Sequence, residues 1–387
     1  MYIYIITFTL SCILIGLSEL QKNKIIKKSL IIIGILIPCL LAGFRADIIG
    51  TDVNVYVKPI FEAALKTNNL NDFFNEKWYV IWRYEYVSNY EIGFTLLVYV
   101  ITKIFASLSF VLFIIQVLII VPIYKALEYF RDKLPIWFGL LIFYFLFFNA
   151  SLNMMRQWIA MSFLLFSIKY LVRNEKIKYF IIVFCAMLFH TSSLLGFLIY
   201  AIYVFLMKKS NKNIMIKHQL RGIRVSSSIY KAGIVTCLGI FMIGGLNFIV
   251  QFIKMIGLEQ YIGYISGNIY IVPNQIIIRL PIIIIFILNY RYISKIEKNT
   301  PFWLTMLIID LLMSQLVSIS AYSFRLSVYF SEYSILSIPI MLKAIPNKTG
   351  RKGIIFIILI IYLFYYWWFY FVFNGMHDTI PYISMVI

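Results

Sequence analysis

The stretch "FGLLIFYFLFFNASLNMMRQWIAMSFLLFSIKYL" runs from Phe138 to Leu171 and decides the fold. Each flank is apolar enough to sit in hydrocarbon, yet Arg156 and Gln157 stand between them. Apolar runs of helix-spanning length recur along the whole chain, separated by short polar breaks, whereas the strands of an outer-membrane barrel alternate over only ~10 residues. Across 387 residues the chain is 62% hydrophobic and 13% charged, with a mean hydropathy of +0.89. No soluble domain of this length has such a composition. The expected fold is all-α, a polytopic integral membrane helical bundle forming one transmembrane domain over 1–387.

The formal charge of +19 is explained by where it lies. Six breaks, beginning at Gln21, Tyr124, Val172, Lys208, Arg291 and Lys343, hold 24 of the 35 Lys and Arg residues. The positive-inside rule makes these breaks cytoplasmic, so nothing in the charge calls for a nucleic-acid partner. The resulting parity predicts about twelve spans, at 2–20, 29–44, 108–127, 135–150, 157–172, 179–189, 193–207, 232–250, 276–290, 301–319, 325–343 and 354–373, with both ends outside. The first is read as uncleaved, because it lacks a basic leader and a small-residue cleavage site. Phe94–Phe105 is apolar but short of the ~17–25 residues a span needs, so it is expected to be a re-entrant or interfacial helix on the outer side. It closes an extracytoplasmic loop over 45–107; a smaller one, rich in Tyr and Gly, covers 251–275. Cys12, Cys39, Cys185 and Cys237 all lie in apolar runs, where thiols behave as small hydrophobes, so no disulfide, metal or other cofactor is expected.

A helix starting near Ser151 puts Asn153, Arg156, Gln157 and Ala160 on one stripe near its outer end. A charge at mid-membrane costs ~2.5–3.5 kcal/mol on insertion scales, so such a residue needs a partner or a ligand. The same depth is expected to collect Arg45, at the end of the second span, Arg279, just before Pro281, Arg325 and His190. Guanidinium groups suit phosphate because they stay charged and offer paired donors. Beside them lie Asp47, Asp52 and Tyr56 of the 45–56 segment, and Glu91. Carboxylates near a phosphate site move protons, bind metal or steer arginine. Asp310 and Glu332 lie within spans, Glu332 seven residues after Arg325 and so expected on the same helical face; pairing with an arginine is expected of both, and ion-coupled transport is the sharper alternative. The aromatics of "EKWYVIWRYEYVSNY", Glu76–Tyr90, suit either sugar stacking or an interfacial belt, while the run from Tyr362 to Phe373 is expected to face lipid.

Four motifs in order, "RADIIGTDVNVY" (Arg45–Tyr56), "EIGF" (Glu91–Phe94), "LNMMRQWIA" (Leu152–Ala160) and "FHTSSL" (Phe189–Leu194), resemble the EpsG-like bacterial exopolysaccharide polymerases. Those are related to the Wzy-type O-antigen and capsule polymerases. The resemblance covers roughly residues 1–210, with Arg325 and the tyrosines after it in the second half. Where the family often has Glu-Pro-Gly-Phe, this chain has Ile92 in place of the proline. The resemblance implies a GT-C-like bundle in the bacterial cytoplasmic membrane, multi-pass, with its active site facing outward. It also implies a glycosyltransferase that joins repeat units carried on undecaprenyl diphosphate. Asp52, Glu91 and His190, in that order, are the candidate bases; Arg45, Asp47, Tyr56, Arg156, Gln157, Arg279 and Arg325 are the candidate substrate-binding residues. The implied partners are undecaprenyl-diphosphate-linked glycans, membrane lipids, and a chain-length regulator and flippase of the same pathway. A flippase or exporter of lipid-linked oligosaccharides, or a transferase with another acceptor, needs a similar cationic cavity.

Overall fold

A computed structural model of the chain describes residues 1–207, 231–234, 236–237, 270–318, 324–347 and 350–385. Most of the 232–250 span and of the 251–275 loop, and the basic break before them, lie outside the described residues. The described residues group into two compact units, one made of Met1–Gly196 with Gly353–Ile387, the other of Phe197–Lys352.

The first unit opens with two long helices, α1 (Tyr2–Leu20) and α2 (Lys24–Gly43). Asn23 starts the second by accepting hydrogen bonds from the Ile25 and Ile26 N–H groups, which would otherwise be orphaned. In an apolar medium polar side chains bind helices together, and here the buried Ser11 hydroxyl meets the Gly34 carbonyl at 2.6 Å and the Tyr144 hydroxyl at 2.8 Å. The loop after α2 carries a π-helical turn at Val53–Val57, then α3 (Lys58–Lys66) and α4 (Leu70–Asn75). Next comes a hairpin of β1 (Lys77–Val80) and β2 (Arg83–Tyr86), with Trp78 opposite Glu85 and Tyr79 opposite Tyr84. Its two turn residues, Ile81 (φ 48°) and Trp82 (φ 65°), take the left-handed conformations that a two-residue hairpin turn requires.

The segment read as re-entrant forms α5 (Ile92–Phe105), whose 14 residues fall short of a bilayer's thickness. After a left-handed Ala106 and a Ser107 cap, α6 (Leu108–Tyr129) packs against α2 and against α9 (Met155–Val172). Between them run α7 (Ile136–Phe143), a π-helical turn and α8 (Asn149–Asn153), followed by α9 (Met155–Val172) and α10 (Lys176–Met187). α11 (Leu195–Met207) leads into the second unit. There follow α12 (Pro273–Leu288), α13 (Tyr290–Ile296), α14 (Thr300–Ser314), α15 (Phe324–Ser331) and α16 (Ser334–Ala344), with Phe302 and Trp303 of α14 against Tyr333 at ring-centre distances of 5.6 and 6.2 Å. Helix α17 (Arg351–Trp367) returns the chain to the first unit.

Among the described residues, six helical segments are long and apolar enough to cross a membrane, or seven if the bent pair α12 and α13, at 66° to each other, is one span. The protein is therefore a multi-pass helical membrane protein. Other expected spans appear as shorter or broken helices. The 179–189 span falls mostly on the 12-residue α10, which ends at Met187, and the 325–343 span divides into α15 and α16 at a turn through Glu332 and Tyr333. One difference from the sequence reading bears on the site: the chain from Ser151 is not one helix. It breaks at Met154 (φ −79°, ψ 55°), so Asn153 ends α8 while Arg156 and Gln157 begin α9.

Candidate functional site: a guanidinium seated on two tyrosines

The break at Met154 is made by the loop that follows α2. Arg45, 1% exposed, gives its guanidinium to backbone carbonyls, with Nη1 on Ala42 (2.6 Å), Nη2 on Leu152 (3.0 Å) and Nε on Ile49 (3.3 Å). Burial lowers its pKa to about 10, still far above neutral pH, so a full charge is held among carbonyl dipoles. Gly50 (φ 81°) then passes so close that a Cβ there would lie 2.6 Å from the Leu152 carbonyl oxygen. Only glycine fits both that approach and that backbone conformation. The turn delivers Thr51 and Asp52 to Asn153, whose Oδ1 accepts from the Thr51 hydroxyl (3.0 Å) and the Asp52 N–H (2.9 Å).

One turn on, the buried Tyr56 donates its hydroxyl to Asp52 Oδ2 at 2.9 Å. Burial first, and the Asp52 charge second, hold this hydroxyl well above the usual phenol range, so it stays a donor. Tyr90 packs against Tyr56, with ring centroids 5.3 Å apart, and Trp78 of the hairpin stacks on Tyr90 at 5.7 Å. Trp78 is itself fixed by its indole N–H on the Val55 carbonyl, 3.0 Å away. Burial, with Glu85 adding to it, raises the Tyr90 hydroxyl to about 12.

Arg156 reaches into this frame from the first turn of α9. Its guanidinium carbon lies 4.6 Å from the Tyr56 ring centre and 4.8 Å from that of Tyr90. Such cation–π contacts contribute ~0.5–2 kcal/mol each and fix the plane of the fork. Nη1 pairs with Glu91 Oε2, while the other Glu91 oxygen accepts the Thr191 N–H at 3.2 Å. Gly93 locks this corner down, since its N–H donates to the Leu188 carbonyl at 2.8 Å and a Cβ there would meet that oxygen at 2.7 Å. Both charged side chains remain reachable, Arg156 at 21% and Glu91 at 14% exposed. The Arg156 Nε–H is buried and has no hydrogen-bond partner among the described residues. A buried, unsatisfied donor on a clamped cation is a place for an anion.

The remaining candidates have other surroundings. His190 accepts the Ser192 N–H on Nδ1 at 3.3 Å and so caps the short turn that presents Thr191 to Glu91. Asp47 pairs with Lys58 at 2.7 Å in a partly exposed bridge. Gln157 is buried in α9. Arg279 and Arg325 belong to the second unit. Arg279 donates to Asp310 Oδ2 (2.9 Å) and to Gln275 Oε1 (2.5 Å), and Arg325 lies in the first turn of α15. Glu332 does not share a continuous helix with Arg325, because α15 ends at Ser331. It is wholly buried, and neither carboxylate oxygen has a hydrogen-bond partner among the described residues.

The sequence places Tyr90 only among the aromatics of Glu76–Tyr90 and Asn153 only on the Arg156 stripe, and it gives no role to His377, whose Nδ1 lies 3.1 Å from Asn153 Nδ2. The adjacency of Tyr90 to Glu91 was an available signal; for His377 the only one was a His-Asp pair following the last apolar run. That run does not face lipid throughout, since Trp367 is fully buried with its indole N–H on Asn149 Oδ1 at 2.8 Å.

These features define a class: a multi-pass helical membrane protein with a reachable, aromatic-seated guanidinium beside carboxylates. The chain belongs to the EpsG family, whose model matches residues 28–384 and so covers every site residue described above. Membership suggests a role in exopolysaccharide biosynthesis. No curated protein and no solved structure matches the chain.

Proposed function

We propose that the protein is a polysaccharide polymerase of the bacterial cytoplasmic membrane, with about twelve spans and its site facing outward. It joins oligosaccharide repeat units carried on undecaprenyl diphosphate. The growing chain leaves its carrier as a terminal sugar hydroxyl of a newly supplied lipid-linked unit attacks its anomeric carbon. The new glycosidic C–O bond forms as the bond to the diphosphate oxygen breaks, and the hydroxyl proton passes to a carboxylate.

The observation that carries this reading is Arg156. A diphosphate leaves as an anion and needs cationic stabilisation rather than protonation, which a preorganised guanidinium supplies. Glu91 and the two tyrosine rings hold the fork in place before substrate arrives, and Nε–H remains for a phosphate oxygen. Because Glu91 is engaged with Arg156 and the Thr191 N–H, its role here is orientation. Asp52 is then the first choice of base, steadied by Tyr56 and Asn153. A flippase and a chain-length regulator are the proposed pathway partners.

The test is Arg156→Ala in cells, with mass analysis of carrier-lipid intermediates. Single lipid-linked repeat units are expected to accumulate on the outer side of the membrane while polymer disappears. Accumulation on the inner side would instead identify a flippase, and long chains at normal abundance would overturn the role of Arg156.

A further inference from the structure

The chain does not leave the fold after its last apolar helix. It turns back along the loop that carries Asp52 and is fastened there at successive points. Gly50 N–H donates to the Asp378 carbonyl (3.1 Å), Ala46 N–H to Ile383 (2.8 Å), and Met385 N–H to Phe44 (2.8 Å). Thr379 is fully buried, its carbonyl accepting the Tyr4 hydroxyl at 2.7 Å and its Oγ1 meeting Asn149 Nδ2 at 2.9 Å. The Tyr382 hydroxyl closes on the Leu41 carbonyl at 2.9 Å. Within this strap, Gly375, His377 and Asp378 have φ of 61°, 71° and 49°. Left-handed backbone is unfavourable for residues with a side chain, so His377 and Asp378 are held there by the bonds around them.

What the strap delivers is an imidazole at Asn153. The Asn153 Oδ1 already accepts two hydrogen bonds, from Thr51 and from the Asp52 N–H. Its amide nitrogen therefore faces His377 Nδ1, 3.1 Å away. An amide nitrogen only donates, so Nδ1 accepts, and the neutral ring carries its proton on Nε2. A single line of contacts follows, from His377 to Asn153, from Asn153 to the Asp52 backbone, and from the Asp52 carboxylate through Tyr56 to Arg156.

From this geometry we infer that His377 is a positioning residue for the transfer reaction, orienting Asn153 and through it the Asp52 carboxylate. The C-terminal strap is thereby a working part of the site. The inference rests on the polymerase reading. An asparagine amide freed from His377 can rotate, and its rotation releases both the Thr51 hydroxyl and the Asp52 N–H. The effect should fall on turnover, because the group displaced handles the proton and not the carrier.

The test uses full-length variants in membranes, supplied with lipid-linked repeat units extracted from cells that lack the protein. His377→Ala is expected to lower kcat about tenfold or more, as loss of one well-placed hydrogen bond does, with KM within about twofold of the parent. His377→Asn, whose side-chain oxygen can accept the same bond, should recover most of that loss. His377→Leu fills the volume of the ring without an acceptor and should not; it carries the same comparison if the alanine variant is poorly made. Adding His377→Ala to Asn153→Ala should lower kcat no further, since the two act in series. An unchanged kcat, equal losses in the Asn and Leu variants, or additive losses would each overturn the inference. The two readings are separable. If Asp52→Asn and Arg156→Ala also polymerise normally, the polymerase reading falls; if they fail while His377→Ala works, only the role of His377 does.

Discussion

Two arginines of the first unit, Arg45 and Arg156, stand by the break at Met154 and are held in opposite ways. Arg45 is 1% exposed and spends its guanidinium on three backbone carbonyls. Arg156 is held by side chains, one carboxylate and two tyrosine faces, and its buried Nε–H has no hydrogen-bond partner among the described residues. Carbonyl oxygens cannot move away without unfolding the backbone that bears them, whereas a carboxylate and aromatic rings can shift when a ligand arrives. The first arrangement is suited to holding a loop and the second to receiving an anion. Arginine at a membrane helix end is thus no single signal; its partners decide what it does.

The sharpest way to break this contrast is Arg45→Met. Removing the charge leaves the Ala42, Ile49 and Leu152 carbonyls without their donor in a buried place, a change that typically costs about 3–5 kcal/mol. The expected outcome is a marked fall in the thermal midpoint of the detergent-purified protein, followed by tryptophan fluorescence. A normal midpoint with lost polymerisation would instead return Arg45 to the substrate-binding set.

Arg156→Lys should do the reverse, leaving the midpoint near that of the parent while turnover drops about 10²-fold, the scale for losing one preorganised donor to a developing anion. Lysine keeps the charge but has neither the planar fork nor the flat face that rests on Tyr56 and Tyr90. Turnover on extracted lipid-linked units measures this, and a lysine variant with full activity would show that charge alone suffices.

The helical membrane character was legible because apolar runs and basic breaks are local properties. So was most of the Arg156 neighbourhood, since Asp52, Tyr56, Glu91 and Arg156 stand in three compact motifs. The break at Met154 was not, as no proline or glycine marks it; it comes from the Leu152 carbonyl being taken by Arg45, a residue 107 positions away. His377 was invisible for the same reason, meeting Asn153 across 224 positions. The hairpin at Lys77–Tyr86 was read only as an aromatic stretch, though its register turns Trp78 to Tyr90 and leaves Tyr79 and Tyr84 exposed.

Tyr90→Leu sharpens the comparison on a smaller scale. It removes one of the two rings beneath Arg156 and the surface on which Trp78 stacks, while Glu91 and Tyr56 remain. Loss of one cation–π contact corresponds to ~0.5–2 kcal/mol, so a fall in kcat/KM of roughly twofold to thirtyfold is expected. Phenylalanine at the same position keeps the ring and should restore most of it. If leucine and phenylalanine behaved alike, the hydroxyl of Tyr90 rather than its face would be what matters.

The smallest effect is expected at Asp47, which stands in the same motif as Arg45 and Asp52 but shares neither's situation. Its bridge to Lys58 is partly open to solvent, with the two side chains 32% and 39% exposed. Such pairs contribute about 0–1 kcal/mol, because water screens the attraction and both side chains give up freedom to make it. The backbone carbonyl of Asp47, which accepts from Asn54 Nδ2 at 3.0 Å, is untouched by a side-chain change. Asp47→Asn should therefore leave both the thermal midpoint and turnover near those of the parent, while Asp52→Asn removes turnover. Equal losses at the two positions would mean that the carboxylates act as a pair, and Asp52 could no longer be singled out as the base.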